Sequence, residues 1–210
     1  MFQRIFLFAL IAALAAPLAA QAPADWRVRI DESRNAQDPD DTPELTFMQI
    51  GGGFRSAGGP AGTFWRPGQS ATGNFTVRGN FTLNKPSNHN NFYGLILGGS
   101  NLDAATQNYI YFLVSQEGTF IVKRRNGAAV TDVQGDTPHA AIRRPDNMGR
   151  SVNALEVRVA VNAISYVVNG TVVHTTPKTG QTAMTNGLVG VRINHVLDVT
   201  VDGFQVLAAN

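Results

Sequence analysis

The chain has no cysteine in its 210 residues. That excludes thiol nucleophiles, zinc-thiolate sites, acylated lipoproteins and small scaffolds stapled by disulfides. Hydrophobic burial must therefore carry the stability. Charge of one sign is also lacking. Seventeen Lys and Arg face 15 Asp and Glu, a formal net charge of +2 that drops by one if Arg4 leaves with a leader. No global field steers nucleic acid to such a surface. The one dense basic cluster, Lys123-Arg124-Arg125, lies in a strand pattern that divides it between two faces, which makes a poor phosphate track. Nucleic acid is excluded as a partner. The four histidines, His89, His139, His174 and His195, show no His-x-His or Glu-x-x-His spacing, so no zinc motif is present. There is no Gly-x-Ser-x-Gly elbow. Beyond the first residues no stretch keeps a helical period, and no long apolar run follows.

The N-terminus is the exception. Arg4 precedes the apolar run Ile5 to Leu14, which is short for a bilayer span, and Ala-Pro-Leu-Ala-Ala follows. These are the parts of an export signal. Residues 1–20 form the expected leader, with cleavage after Ala20. The alternative cut after Ala22 would place Pro23 directly behind it. The mature chain is expected to be periplasmic or extracellular, with no membrane span. Residues 21–210 are expected to form one domain.

What the chain has in abundance is alternation broken by turns. Leu155, Val157, Val159 and Val161 alternate with Glu156, Arg158, Ala160 and Asn162, the two-residue period of a half-buried strand. Asn162-Ala163 turns the chain, Ile164 to Val168 returns, and Asn169-Gly170 is a type I′ hairpin signal before Thr171 to His174. Similar strands are expected at 25–30, 45–50, 73–83, 92–97, 109–115, 119–125, 129–133, 187–194 and 197–207. About twelve short strands with no βαβ alternation define an all-β, antiparallel two-sheet β-sandwich of the jelly-roll kind. Gly51-Gly-Gly53 and Gly58 to Gly62 bracket Phe54 but precede no helix, so they do not read as a phosphate loop.

Several of these pieces carry a resemblance. They are Phe92-Tyr-Gly-Leu-Ile-Leu97, Tyr109-Ile-Tyr-Phe-Leu-Val114, Lys123-Arg-Arg-Asn-Gly127, Val168-Asn-Gly-Thr-Val-Val173, Gly187-Leu-Val-Gly-Val-Arg192 and Val199-Thr-Val-Asp-Gly-Phe-Gln-Val206. In this order they resemble the concanavalin A-like lectin/glucanase superfamily. Within it the chain looks closest to the 3-keto-disaccharide hydrolase branch and to laminin-G-like modules. The resemblance spans roughly residues 73–207 and implies two stacked antiparallel sheets, one of them curved, with a glycan on the concave face. The superfamily's glucanases carry Glu-x-Asp-x-(x)-Glu, which this sequence lacks.

Catalysis has thin support. Asp198 and Asp202, at i and i+4 on one strand face, are the nearest carboxylate pair to what glycoside hydrolysis requires. A solvated or turn-capping pair explains them as well. Glu117 and Glu156 read as solvated. Asp103, with Asn101, Gln107 and Asn108, offers oxygens compatible with calcium, but without a dense carboxylate pattern; no other cofactor is expected. Sugar sites combine aromatic faces with amides and hydroxyls. Asn91 and Tyr93 lie in one such stretch, Asn88 to Tyr93. Tyr109 and Tyr111, beside Lys123 and Arg125, form another if Ile110, Phe112 and Val114 fill the core. The opposite phase is equally apolar. Trp65 reads as a stacking platform at a loop tip or as edge packing. The sequons at Asn74, Asn80 and Asn169 matter only in a eukaryotic secretory path.

The expected function is a non-catalytic, exported binding module for a saccharide or cell-surface glycan, using Tyr109, Tyr111, Lys123 and Arg125. Alternatives are a hydrolase acting on a disaccharide or oxidised sugar, and a structural subunit that self-associates through sheet edges.

Overall fold

The computed structural model describes residues 22–31 and 44–208. The expected leader, residues 1–20, lies outside the described residues, as does most of the Asp- and Pro-rich stretch that follows Asp31. Among the described residues fourteen strands run in order: β1 (Arg27–Ile30), β2 (Thr46–Ile50), β3 (Gly53–Ala57), β4 (Gly62–Ala71), β5 (Phe75–Lys85), β6 (Phe92–Ser100) and β7 (Asn108–Ser115), then β8 (Thr119–Asn126), β9 (Ala129–Pro138), β10 (Ser151–Val159), β11 (Ala163–Val168), β12 (Thr171–Pro177), β13 (Gly187–Ile193) and β14 (Asp198–Ala208).

They form two seven-stranded sheets. The first has the order β1-β4-β13-β6-β7-β8-β9, the second β12-β11-β10-β5-β14-β3-β2. Neighbouring strands pair antiparallel, as in β7 with β8 and β10 with β5. The all-β sandwich expected from the alternation is the observed fold.

Alternation decides which side chains meet between the sheets. Tyr93, Leu95 and Leu97 of β6, and Ile110, Phe112 and Val114 of β7, face Val77 and Phe81 of β5 and Leu155 and Val157 of β10 in one buried cluster. Ring contacts stitch the layers together: Phe112 to Tyr166 at 5.2 Å, Phe81 to Tyr93 at 5.8 Å and Phe54 to Phe64 at 5.1 Å between centroids. One polar bridge crosses as well, Asn153 Nδ2 donating to the Tyr93 hydroxyl at 3.2 Å. The Asn169-Gly170 turn is the two-residue hairpin its signal demands, with φ of 50° and 83° and Val168 paired to Thr171.

The pattern missed two strands, β3 and β4. Their glycines read as turn punctuation, but Gly53 is needed for close packing instead. A Cβ there would lie 1.9 Å from the Val201 carbonyl oxygen on β14. Trp65 accordingly sits inside β4, not at a loop tip.

Candidate functional site

With Ile110, Phe112 and Val114 in the core, Tyr109, Tyr111 and Leu113 project from the opposite face of the first sheet. There they join Trp65, Ile96, Leu102 and Ile121 in a second apolar cluster, with Phe92 and Leu188 packed against it. None of these seven is more than 6 % exposed. The first sheet is therefore apolar on both faces, which is why the sequence left two phases open for β7.

A charged network is built into that outer layer. Arg192, on β13, is 8 % exposed and donates to Asp31 Oδ2 from Nη2 at 2.7 Å. Its Nη1 donates to the Tyr109 hydroxyl at 3.1 Å and to Thr63 Oγ1 at 3.2 Å. Arg125 Nη1 reaches the same Asp31 oxygen at 3.0 Å. Gln107, its amide oxygen turned toward them, accepts from Arg29 at 2.9 Å and Arg125 at 3.3 Å. Burial alone would raise the Asp31 pKa, but Arg192 and Arg125 overcome it and hold the carboxyl below its ordinary value. Burial likewise opposes the charge on Arg192, and Tyr109 and Asp31 more than offset it, leaving its pKa raised. Burial pushes the Tyr111 hydroxyl up to about 12, against the pull of nearby Arg192. The Arg192 guanidinium lies 5.8 Å from the Tyr111 ring centroid, so the ring is fixed from one side by a cation.

Beside this network lies a depression of about 410 Å³, lined by Asn90, Phe92, Tyr111, Ile121, Lys123, Asp132, Asp136, Arg192 and Asn194. Lys123 Nζ pairs with Asp132 at 3.0 Å. The side-chain oxygens of Asn90 and Asn194 are buried and accept no hydrogen bond from the described residues. The depression therefore presents two aromatic rings, two cationic side chains and two carboxylates, with two asparagines in its wall. That set matches a polyhydroxylated ring, whose C–H faces stack on aromatics while its hydroxyls bond both donors and acceptors. A second depression, about 330 Å³, lies on the outer face of the second sheet among Arg78, Asn80, Glu156 and Gln205 and has no aromatic side chain in its lining.

The residues picked from the sequence divide into groups. Tyr111 and Lys123 line the first depression. Tyr109 and Arg125 are on the same face but lie beneath its surface, tied to Arg192 and Asp31. Trp65 and Asp103 line a separate depression of about 610 Å³ with Arg27, Pro67 and Leu188. Tyr93 must be corrected: it is fully buried between the sheets, because β6 puts odd-numbered residues inward, and it cannot touch a ligand. Asn91 is buried too, its amide donating to the His195 carbonyl at 3.1 Å. Asp198 and Asp202 share the outer face of the second sheet, about 13 Å apart along an extended strand. Asp198 accepts from Arg55 at 2.7 Å and Asn84 at 3.0 Å, and Asp202 from Asn80 at 3.0 Å. Among the described residues no three His, Asp or Glu side chains gather to hold a metal.

Arg192, Asn194, Asp132, Asp136 and Asp31 were not singled out from the sequence. Arg192 left a signal, an arginine in the otherwise apolar run Gly187-Leu-Val-Gly-Val-Arg192. The others sit at strand ends and on the edge strand β9, where no periodicity marks them.

Two stacked seven-stranded antiparallel sheets make a β-sandwich, a fold shared with solved carbohydrate-binding and galectin-like structures. The chain's fold is similar to a carbohydrate-binding module, CBM66 from Bacillus subtilis, at 12 % identity and TM-score 0.62, over 79 % of this chain and 92 % of that one. It is also similar to a Bacteroides ovatus mixed-linkage glucan GH16 protein in complex with product, at 10 % identity and TM-score 0.58, over 90 % and 97 % of the two chains. A third likeness is to the potassium-bound Emp46p carbohydrate recognition domain, at 14 % identity and TM-score 0.55, over 89 % of each chain. No protein-family model matches the chain, and no curated protein matches it by sequence.

Proposed function

We propose that the protein is an exported, non-catalytic saccharide-binding module whose ligand lies in the depression on the outer face of the first sheet. The observation that carries this reading is the gathering of Tyr111 and Phe92 with Lys123, Asp132, Asp136 and two asparagines in one lining. Lys123 and Arg192 face Asp132 and Asp136 there, so the lining is close to neutral and favours an uncharged sugar over an acidic one. Three solved structures with the same sandwich are a carbohydrate-binding module, a carbohydrate recognition domain and a glucan GH16 protein. Export rests on the N-terminal leader pattern.

Hydrolysis is the second reading. Asp132 and Asp136 line the same depression, and glycoside hydrolysis uses two carboxyls about 5–10 Å apart. Against it, Asp132 is already engaged in an ion pair with Lys123 at 3.0 Å.

A glycan array probed with the mature chain tests the proposal. Binding to a defined neutral oligosaccharide, lost in Tyr111→Ala and kept in Trp65→Phe, supports it. Binding that is indifferent to Tyr111, or release of reducing ends from the array sugars, contradicts it.

A further inference from the structure

The connection from β9 to β10 closes a further depression, of about 410 Å³, against the β7–β8 turn. Its lining is Gly118, Pro138, His139, Ala140, Ile142 and Arg144. Two basic side chains stand there with no carboxylate among them. Among the described residues no carboxylate comes within ion-pair reach of Arg144, whereas Arg55, Arg66, Arg125, Arg158 and Arg192 each have one. Asp146, two residues on, has its carboxylate taken by the amides of Met148 and Arg150, each at 2.9 Å. Glu117, in the turn itself, is not part of the lining.

Both basic groups are held in place. The Ala141 amide donates to His139 Nδ1 at 3.1 Å, so Nδ1 carries a lone pair and the neutral ring bears its proton on Nε2. The His139 amide donates to the Gly118 carbonyl at 3.1 Å, and the Ile142 amide to the His139 carbonyl at 3.1 Å. Arg144 follows a residue clamped on both sides. The Arg143 amide donates to Asn153 Oδ1 at 2.9 Å, and Asn153 Nδ2 donates to the Arg143 carbonyl at 3.0 Å. Asn153 is fully buried, so the clamp is anchored in the core. The stem of Arg144 lies on Gly118, whose missing side chain leaves room for it. A Cβ there would sit 2.8 Å from Arg144 Nε and 3.2 Å from its Cγ. Gly118 has φ of 79°, a conformation that glycine adopts without steric cost.

We propose that His139 and Arg144 form a binding site for a compact oxyanion, a carboxylate or phosphate group carried by a larger ligand. The guanidinium fork presents paired N–H donors that match two oxygens of either group. The imidazole adds a third donor, Nε2–H, which its neutral form already offers. Pro138 and Ile142 supply apolar wall, beside which charge-assisted hydrogen bonds are less screened than in open water. The aromatic depression carries charges of both signs, so the two sites select different chemistry. The inference does not depend on saccharide binding.

The test is ¹⁵N NMR of the mature chain titrated with sodium phosphate, and separately with sodium acetate, at an ionic strength held constant with sodium chloride. Saturable shifts are expected at Arg144 Nε, His139 Nε2 and the amides around them, with a Kd on the order of millimolar. Arg144→Gln should weaken binding at least about tenfold, and His139→Ala a few-fold. Arg144 is exposed, so its replacement leaves the core untouched. Arg143→Gln and Arg150→Gln, basic neighbours outside the lining, should leave binding unchanged. A response to phosphate alone supports the site as one for phosphoryl groups, and a response to acetate alone as one for carboxylates. Absence of saturable shifts with both anions, equal shifts with sodium chloride alone, or binding that survives Arg144→Gln would overturn the proposal.

Discussion

Arg192 donates to Asp31 at 2.7 Å, joining β13 to the end of β1 beside the apolar cluster on that face. The bond holds the floor of the aromatic depression, since the same guanidinium bonds Tyr109 and lies over Tyr111. Removing Arg192 leaves Asp31 with Arg125 as its close partner and takes the donor from Tyr109 and Thr63, a loss of up to about 3 kcal/mol. Arg192→Met is expected to lower unfolding stability by about 3 kcal/mol in urea. Arg192→Met combined with Asp31→Leu should recover only part of that loss, because Arg125 then loses its own carboxylate partner.

Acid should weaken the fold through the same carboxylate. Asp31 and Asp198 both have pKa values lowered from the ordinary 3.8. For Asp198, burial works upward while Arg55 and Asn84 prevail downward. A group whose folded pKa is depressed contributes stability that is fully present above its unfolded pKa and lost as pH falls through the folded one. The midpoint of urea unfolding should therefore hold steady above about pH 5 and decline below the ordinary carboxylate pKa of about 4. Asp198→Asn should flatten part of that decline, and an unchanged acid limb would contradict the assignment.

The pairing of β4 with β13 depends on one glycine. A Cβ at Gly190 would lie 2.2 Å from the Phe64 carbonyl oxygen and 3.1 Å from the Trp65 Cβ. Backbone, not a flexible side chain, blocks it, so Gly190→Ala forces the strands apart. Overpacking costs typically about 1–3 kcal/mol, and this site should fall at the upper end. Thermal unfolding of the variant measures it, with Gly68→Ala, where nothing lies within 4 Å, as the benign comparison.

Ligand affinity should follow the two depressions unequally. On the proposed reading Tyr111→Ala removes an aromatic ring from the lining, a loss of about 1–2 kcal/mol or about five- to thirtyfold in Kd. Lys123→Ala removes one donor and frees Asp132, so a smaller loss of a few-fold is expected. Trp65→Phe, in the separate depression, should leave the Kd unchanged. Titration calorimetry with the bound oligosaccharide ranks the three.

Much of the fold was legible because period-two alternation survives wherever one face is wet. β5 and β10 show it plainly, with Phe75, Val77, Phe81 and Leu83 buried against exposed Arg78 and Asn80. Legibility failed where glycine serves packing, as at Gly53, and where both faces are apolar, as in β7. The site was half legible for the same reason. Tyr111 and Lys123 stand out in a strand, whereas Asp31, Asp136 and Asn194 acquire meaning only when the strand order brings β1, β9 and β13 to one face.

The most direct test is ¹⁵N NMR of the mature chain titrated with neutral oligosaccharides. The account predicts amide shifts confined to residues 90–94, 111, 121–123, 132–136 and 192–194, around the aromatic depression. Shifts instead around Arg78, Asn80, Glu156 and Gln205 on the second sheet, or none with any sugar, would contradict it.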